Sequence, residues 1–168
     1  MDNRKNISRG TDVFYYPSLI DAEVYVLART FPKAKQIYGG DLPSIVRKRI
    51  EWETDSICKH NFSVIYTAFG EIAKTAKKRG YPVGSSGCAA SSFVAYLLDI
   101  TEINPLPPHY ICPDCKYSDF ESGEHCDSVC DLPDKICPVC GQELNKDGFN
   151  LSAEMLLGVD GDKLPDIK

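Results

Sequence analysis

Two groups of residues in this 168-residue chain have the types and spacing to do chemistry. The first is Gly84-Ser85-Ser86-Gly87-Cys88-Ala89-Ala90-Ser91-Ser92, which follows Tyr81-Pro82-Val83 and runs into Phe93-Val94-Ala95-Tyr96-Leu97-Leu98. Its small side chains leave backbone N–H groups uncovered. Ala89, Ala90, Phe93, Val94, Leu97 and Leu98 recur at helical spacing, which predicts a Gly/Ser loop opening a helix. A helix N-terminus has unpaired donors and a partial positive charge, and so suits phosphate. The plainer alternative is an ordinary loop whose serine caps a helix. The second group is a pair of matched knuckles, Cys112-Pro113-Asp114-Cys115 and Cys137-Pro138-Val139-Cys140-Gly141. Each C-x-x-C aims two thiolates at one centre, and two of them make a closed tetrahedral zinc site. A redox disulfide would explain one such motif but not two, each with Pro after its first Cys. A four-thiolate site leaves no position open for water, so this zinc is expected to hold structure. Cys126 and Cys130 lie between the knuckles at a less typical spacing and read as bystanders or a weak second pair, and Cys58 and Cys88 stand alone.

Helices must position both groups. Residues 1–17 are polar and aromatic and read as a linker. Ser18 to Arg29 is predicted helical from the recurrence of Ile20, Val24 and Leu27, with Pro32 ending it and Ala34–Tyr38 adding a turn at most. A second helix starts at Asp41-Leu42-Pro43 and carries Ile45, Val46, Arg49, Ile50, Glu53 and Ile57 at spacings of three and four, with His60 a cationic residue at its end. A third, Asn61 to Arg79, has an apolar stripe of Ile65, Ala68, Phe69, Ile72, Ala73 and Ala76 that reads as core, and Gly80 closes it. Its basic end, Lys77-Lys78-Arg79, complements the helix dipole. Pro105, Pro107 and Pro108 make 101–110 an extended connector. His109 is a spare ligand or, as we read it, packs beside the cysteines. Lys146-Asp147-Gly148 reads as a turn, Ser152 to Leu157 as a short helix stopped by Gly158, and Leu164-Pro165-Asp166-Ile167-Lys168 as the entry to a strand.

Composition narrows the classes. A 43% hydrophobic share supports a core, and a net charge of −5 argues against tight unaided nucleic-acid binding. No apolar run approaches a membrane span, and no signal peptide opens the sequence. A cysteine cluster without a secretion signal points to metal before disulfides.

Longer matches join these pieces. Ile37-Tyr38-Gly39-Gly40-Asp41-Leu42-Pro43, Gly80-Tyr81-Pro82-Val83-Gly84-Ser85, Ser91-Ser92-Phe93-Val94-Ala95, Ile103-Asn104-Pro105-Leu106-Pro107-Pro108-His109-Tyr110, the two knuckles, Asp131-Leu132-Pro133-Asp134-Lys135 and Gly161-Asp162-Lys163-Leu164-Pro165-Asp166-Ile167 stand in order. In them the sequence resembles the catalytic region of the PolC-type DNA polymerase III alpha subunit family, from Thr11 to the end. The resemblance implies an α+β fold: a helical segment and part of a nucleotidyltransferase palm like that of polymerase beta, with an inserted four-cysteine zinc ribbon. It implies domains at 18–108, 109–145 and 146–168, and a small sheet near Val83 and Ile167. Gly84, Ser85, Ser86 and Gly87 would receive the triphosphate of the incoming nucleotide, with Ser91 and Ser92 behind them. Asp166 would be the first catalytic carboxylate for magnesium, and Cys112, Cys115, Cys137 and Cys140 would bind zinc. The implied partners are primer-template DNA, a dNTP and other replisome subunits, with no membrane, in the cytoplasm. Two departures stand out: the family usually has Arg where this chain has Ser86, and its second Asp falls at position 168, which is Lys here. A chain lacking that carboxylate is expected to be inactive by itself. It is either a piece of a polymerase or a degenerate, non-catalytic relative that binds a partner or nucleic acid. A free-standing zinc-ribbon protein explains the cysteines but neither the loop nor Pro165-Asp166-Ile167.

Overall fold

The computed structural model describes residues 18–84, 87–123, 126 and 128–167. The linker assigned to 1–17, and Ser85, Ser86 and Lys168, lie outside the described residues. Three long helices come first: α1 (Leu19–Tyr38), α2 (Ser44–Lys59) and α3 (Ser63–Lys78). A 3-10 turn (Gly87–Ser91) and α4 (Phe93–Leu97) follow, then strands β1 (His109–Ile111), β2 (Ser118–Asp119) and β3 (Asn145–Asp147), and finally α5 (Glu154–Leu157). The architecture is α+β, with helices and sheet in separate parts of the chain.

Helix α1 corrects two expectations. It does not end at Pro32 but runs through it to Tyr38. A mid-helix proline costs about 3 kcal/mol, but the turns beyond it bury Ala34 and Tyr38, with Phe31 and Ile37 packed beside them. The helix also turns a different face inward. Ile20, Val24 and Leu27 are 73%, 59% and 42% exposed, while Ala22, Val26, Thr30, Ala34 and Tyr38 are buried. Helical spacing of three and four selects the first set and spacing of four the second, whose smaller residues allow α1 to approach α3.

Close approach explains α3 as well. Its buried residues are Ser63, Tyr66, Thr67, Gly70 and Ala73; of the expected stripe Ala73 is buried, Ile65 and Phe69 pack at the margin of the core, and Ile72 is 61% exposed. Gly70 is where the Tyr25 ring crosses, since a Cβ there would lie 2.9 Å from the tyrosine oxygen. Helix α2 begins at Ser44 with Pro43 as its cap, so Asp41 does not cap it. His60 follows its last turn and stacks on Phe62. Asn61 turns the chain into α3 with a φ of +61°.

Two apolar clusters fill the helical part. One joins Val26, Ile57, Phe62, Tyr66, Ala89, Val94, Ala95, Leu156, Leu157 and Ile167. The other joins Ala34, Tyr38, Val46, Ile50, Phe93, Leu97, Leu106 and Ile111. The sheet is three-stranded and antiparallel in the order β2-β1-β3, with Tyr110 opposite both Asp119 and Lys146. It therefore lies at the base of the ribbon. Lys146 and Asp147, read as a turn, belong to β3. No strand forms at Val83 or Leu164–Ile167 among the described residues, because neither segment finds a partner edge there. No described helix is long and apolar enough to cross a membrane.

Candidate functional site

The cysteine centre is built by two hairpin tips. β1 and β2 lead into and out of the first knuckle, and the Ile136–Glu143 bridge closes the second. The tips repeat each other. The Cys112 N–H donates to the Tyr117 carbonyl and the Cys137 N–H to the Gln142 carbonyl, both at 2.7 Å. The residue after each second cysteine is left-handed: Lys116 at φ +64° and Gly141 at φ +77°. The four Sγ atoms of Cys112, Cys115, Cys137 and Cys140 lie within 4.8 Å of one another. Across the tips Cys112 is 3.3 Å from Cys140, and Cys115 is 3.5 Å from Cys137. Zn–S bonds of about 2.3 Å put tetrahedral sulfurs about 3.8 Å apart, so the spread fits one ion.

The thiol electrostatics point the same way. Burial pushes the Cys112 thiol up, but the backbone N–H groups of Cys115 and Asp114 and the Cys140 thiol outweigh it and bring it to about 6. Cys137 is lowered in the same manner, its burial outweighed by the N–H groups of Cys140 and Val139. At Cys115 the Tyr117 N–H favours ionisation, but burial and three neighbouring thiols prevail and raise it to about 12. Four sulfurs this close cannot all ionise against one another without a cation between them. Cys126 packs against the ribbon core, and Cys130 is exposed outside the group.

His109 is no ligand. It is fully buried at the start of β1 and stacked 4.2 Å from Phe120. A carbonyl only accepts, so Nδ1–H donates to Pro107 O at 2.6 Å and Nε2 accepts from the Tyr38 hydroxyl at 3.0 Å. Asn104 Nδ2 donates to the Tyr38 oxygen and to Asp147 Oδ2. This chain of bonds joins α1 to the sheet, and burial holds His109 below its ordinary 6.5.

The Gly/Ser segment opens a 3-10 turn rather than an α-helix, and α4 begins only at Phe93. Gly84 and Gly87 are exposed, and a side chain at either would meet nothing within 4 Å. Gly87 sits at φ +68°, where other residues are strained. Ser91 and Ser92 lie in the core. Ser91 Oγ donates to the Cys88 carbonyl, and Ser92 caps α4 by accepting from the Ala95 N–H. Their hydroxyls are committed inside the fold, behind the loop.

Beneath this segment lies a group that sequence reading passed over. Glu53, fully buried in the middle of α2, accepts from the Phe93 N–H (2.9 Å), the Val94 N–H (3.0 Å), the Ser92 hydroxyl (2.7 Å) and Arg49 Nε. Arg49 also donates to the carbonyls of Ser91 and Leu151. Tyr66 donates to Ser92 Oγ. The sign of this group was a Glu at a position whose helical neighbours, Val46, Ile50 and Ile57, are apolar. Asp166 is exposed, next to Ile167, which packs in one cluster with Ala89 and Val94. The segment bearing Asp166 thus lies against the core beneath the Gly/Ser turn.

The family model for the bacterial DNA polymerase III alpha NTPase domain matches residues 25–168. The DNA polymerase III PolC-type of Bacillus subtilis is 47% identical over 156 residues, which are 93% of this chain and 11% of that protein. That of Streptococcus mutans is 49% identical over 155 residues, 91% of this chain and 11% of that protein. That of Thermotoga petrophila is 46% identical over 151 residues, 90% of this chain and 11% of that protein. The chain thus spans about a tenth of the length of the curated relatives it matches. With most of its length matched in both comparisons, the chain belongs to the bacterial DNA polymerase III alpha family.

Proposed function

We propose that this chain is the nucleotide-binding part of a PolC-type replicative DNA polymerase, receiving the triphosphate of an incoming dNTP on the backbone of Gly84, Ser85, Ser86 and Gly87. The observation that carries the reading is the joint packing of Ala89, Val94 and Ile167. It sets an open glycine segment and a carboxylate-bearing segment on one core, although the whole ribbon separates them in sequence. Phosphoryl transfer asks for positioning and charge neutralisation more than covalent chemistry. At Gly84 and Gly87 a side chain would meet nothing within 4 Å, so both ends of the loop are open, and Asp166 would hold magnesium. Magnesium, when bound, supplies positive charge against the phosphate oxygens. Ser91 and Ser92 support the loop from within. In this reading Cys112, Cys115, Cys137 and Cys140 hold a structural zinc, and the primer-template and other replisome subunits are engaged by the intact polymerase.

The test is a titration of the chain with a dNTP and magnesium, alongside elemental analysis. Saturable binding, weakened at least tenfold by Gly87→Val and by Asp166→Asn, is expected, with one zinc per chain. Absence of binding, or binding indifferent to both substitutions, overturns the nucleotide reading. Absence of zinc overturns the metal assignment.

A further inference from the structure

The donors at the start of α4 are already occupied. Phe93 and Val94 give their N–H groups to Glu53, so an internal carboxylate sits where an external anion would otherwise be drawn. The carboxylate does more than cap. Its Oε2 takes the Ser92 hydroxyl proton, which orients Ser92 Oγ to accept from Tyr66 and Ala95. Every hydrogen-bonding position on Ser92 is thereby used. Arg49 neutralises the carboxylate and reaches past it to the Ser91 carbonyl, at the end of the 3-10 turn, and to the Leu151 carbonyl, at the start of the return from the ribbon.

The same face of α2 touches that returning chain again, two turns after Arg49. Gly161 lies so close to Ser56 that a Cβ would come within 2.4 Å of the serine oxygen, and Trp52 is the next neighbour. The turn at Gly161 is held in its own right by the Lys163 N–H donating to the Leu157 carbonyl. One helix face, Arg49, Glu53 and Ser56, therefore grips both the end of the Gly/Ser segment and the segment that leads to Asp166.

We propose that Glu53, with Arg49, is a positioning residue that holds the Gly87–Ser91 turn and the 151–167 segment in one frame, so that a triphosphate bound at the turn and the Asp166 carboxylate meet at a fixed separation. The proposal rests on the nucleotide-binding reading above. Neither side chain contacts substrate. Glu53 acts through Ser92, Phe93 and Val94, and Arg49 through two carbonyls. The pair satisfies the rule that a buried charge be matched and fully hydrogen-bonded, since both carboxylate oxygens have two donors each.

The test uses the full chain and two variants, Glu53→Gln and Arg49→Lys, with inorganic triphosphate and magnesium as the probe. Leu132→Ala, in the ribbon cluster, is the destabilised control. Amide hydrogen exchange at Ser92 and Lys163, whose N–H groups bond to the Ala89 and Leu157 carbonyls, is measured in the same samples, at temperatures giving equal folded fractions. Expected are a tenfold or greater rise in Kd and at least tenfold faster exchange at both amides in the two variants, with the control unchanged. Binding and exchange at both amides equal to wild type in folded Glu53→Gln would overturn the proposal. If wild type itself does not bind triphosphate, the nucleotide reading falls. The positioning claim is then decided by exchange alone, where unchanged amides refute it and accelerated ones uphold it.

Discussion

The helical part and the ribbon are held together by different physics. The helical part has two large apolar clusters and a buried ion pair at their junction. The ribbon has one small cluster, Tyr110, Cys112, Leu132, Cys137 and Leu144, and two of its five members are cysteines of the four-sulfur group. Its strands are two or three residues long. Such a unit buries little apolar surface, and its core is centred on four sulfurs able to ligate a metal. The helical part, in turn, carries its polar demands inside, in Glu53 and in the Tyr38–His109–Asn104 chain. One region gathers a small core around four sulfurs, and the other packs around internal polar anchors.

Metal removal breaks this contrast most sharply. A strong chelator, or Cys137→Ala, is expected to unfold the ribbon while the helices persist, because structural zinc contributes about 10–16 kcal/mol in small zinc domains. Amide-exchange protection at Cys112 and Leu144, whose N–H groups bond within the ribbon, would be lost while helical circular dichroism is largely kept. Simultaneous loss of both signals would show that the regions are one cooperative unit.

Next comes Glu53→Ala, expected to cost about 3–5 kcal/mol by stranding Arg49 and the α4 N–H groups. Denaturant unfolding should register it in the helical signal, with zinc content unchanged. A loss under about 1 kcal/mol would mean the pair is not an anchor.

Gly161→Ala should cost about 1–3 kcal/mol, from overpacking against Ser56 and from a Cβ at φ +73°. Ser56→Gly in the same chain should return part of that loss by removing the steric share. No recovery in the double variant would deny the close approach.

Tyr66→Phe removes one hydroxyl donor to Ser92 and should cost about 1 kcal/mol. A neutral result would place that bond outside the network's energetics.

The least effect is expected at the joint between the regions. His109 is held neutral by burial, with its folded value below 6.5. The unfolded chain then takes up a proton first as pH falls, so the stability His109 provides is complete above about 6.5 and declines below it. The dependence of melting temperature on pH between 7 and 5 should flatten in His109→Gln. An unchanged slope would assign the acid sensitivity to other groups.

Parts of this were legible in residue order. The knuckles were, because C-x-x-C makes a tight turn from local geometry alone. The three helices were, because their periodicity is local too. The buried face of α2 was too, since Val46, Ile50 and Ile57 are buried as their spacing predicts, but those of α1 and α3 were legible only in part. There small or hydroxylated residues such as Ala22, Thr67 and Gly70 lie innermost, Ile65 and Phe69 pack at the margin, and Ile20, Val24 and Ile72 lie outward, since inter-helix distance rewards small contacts over large side chains. The continuation of α1 through Pro32 was hidden for a related reason: the compensating burial of Tyr38 involves β1 and Phe93, distant in sequence. Glu53 stood among helical apolar positions without declaring its partners, which come from Ser92, Phe93 and Val94 on another element.

The sequence by itself determined the family, the four-sulfur motif, the glycines of the loop and the order of the three long helices, because each rests on identity and short spacing. Only tertiary structure decided that the strands belong to the ribbon base, that Ser91 and Ser92 face the core, and that Arg49 on α2 joins the carbonyls of Ser91 and Leu151. Those outcomes depend on which surfaces meet once the chain is closed, and a one-dimensional pattern does not fix the meeting of its distant parts.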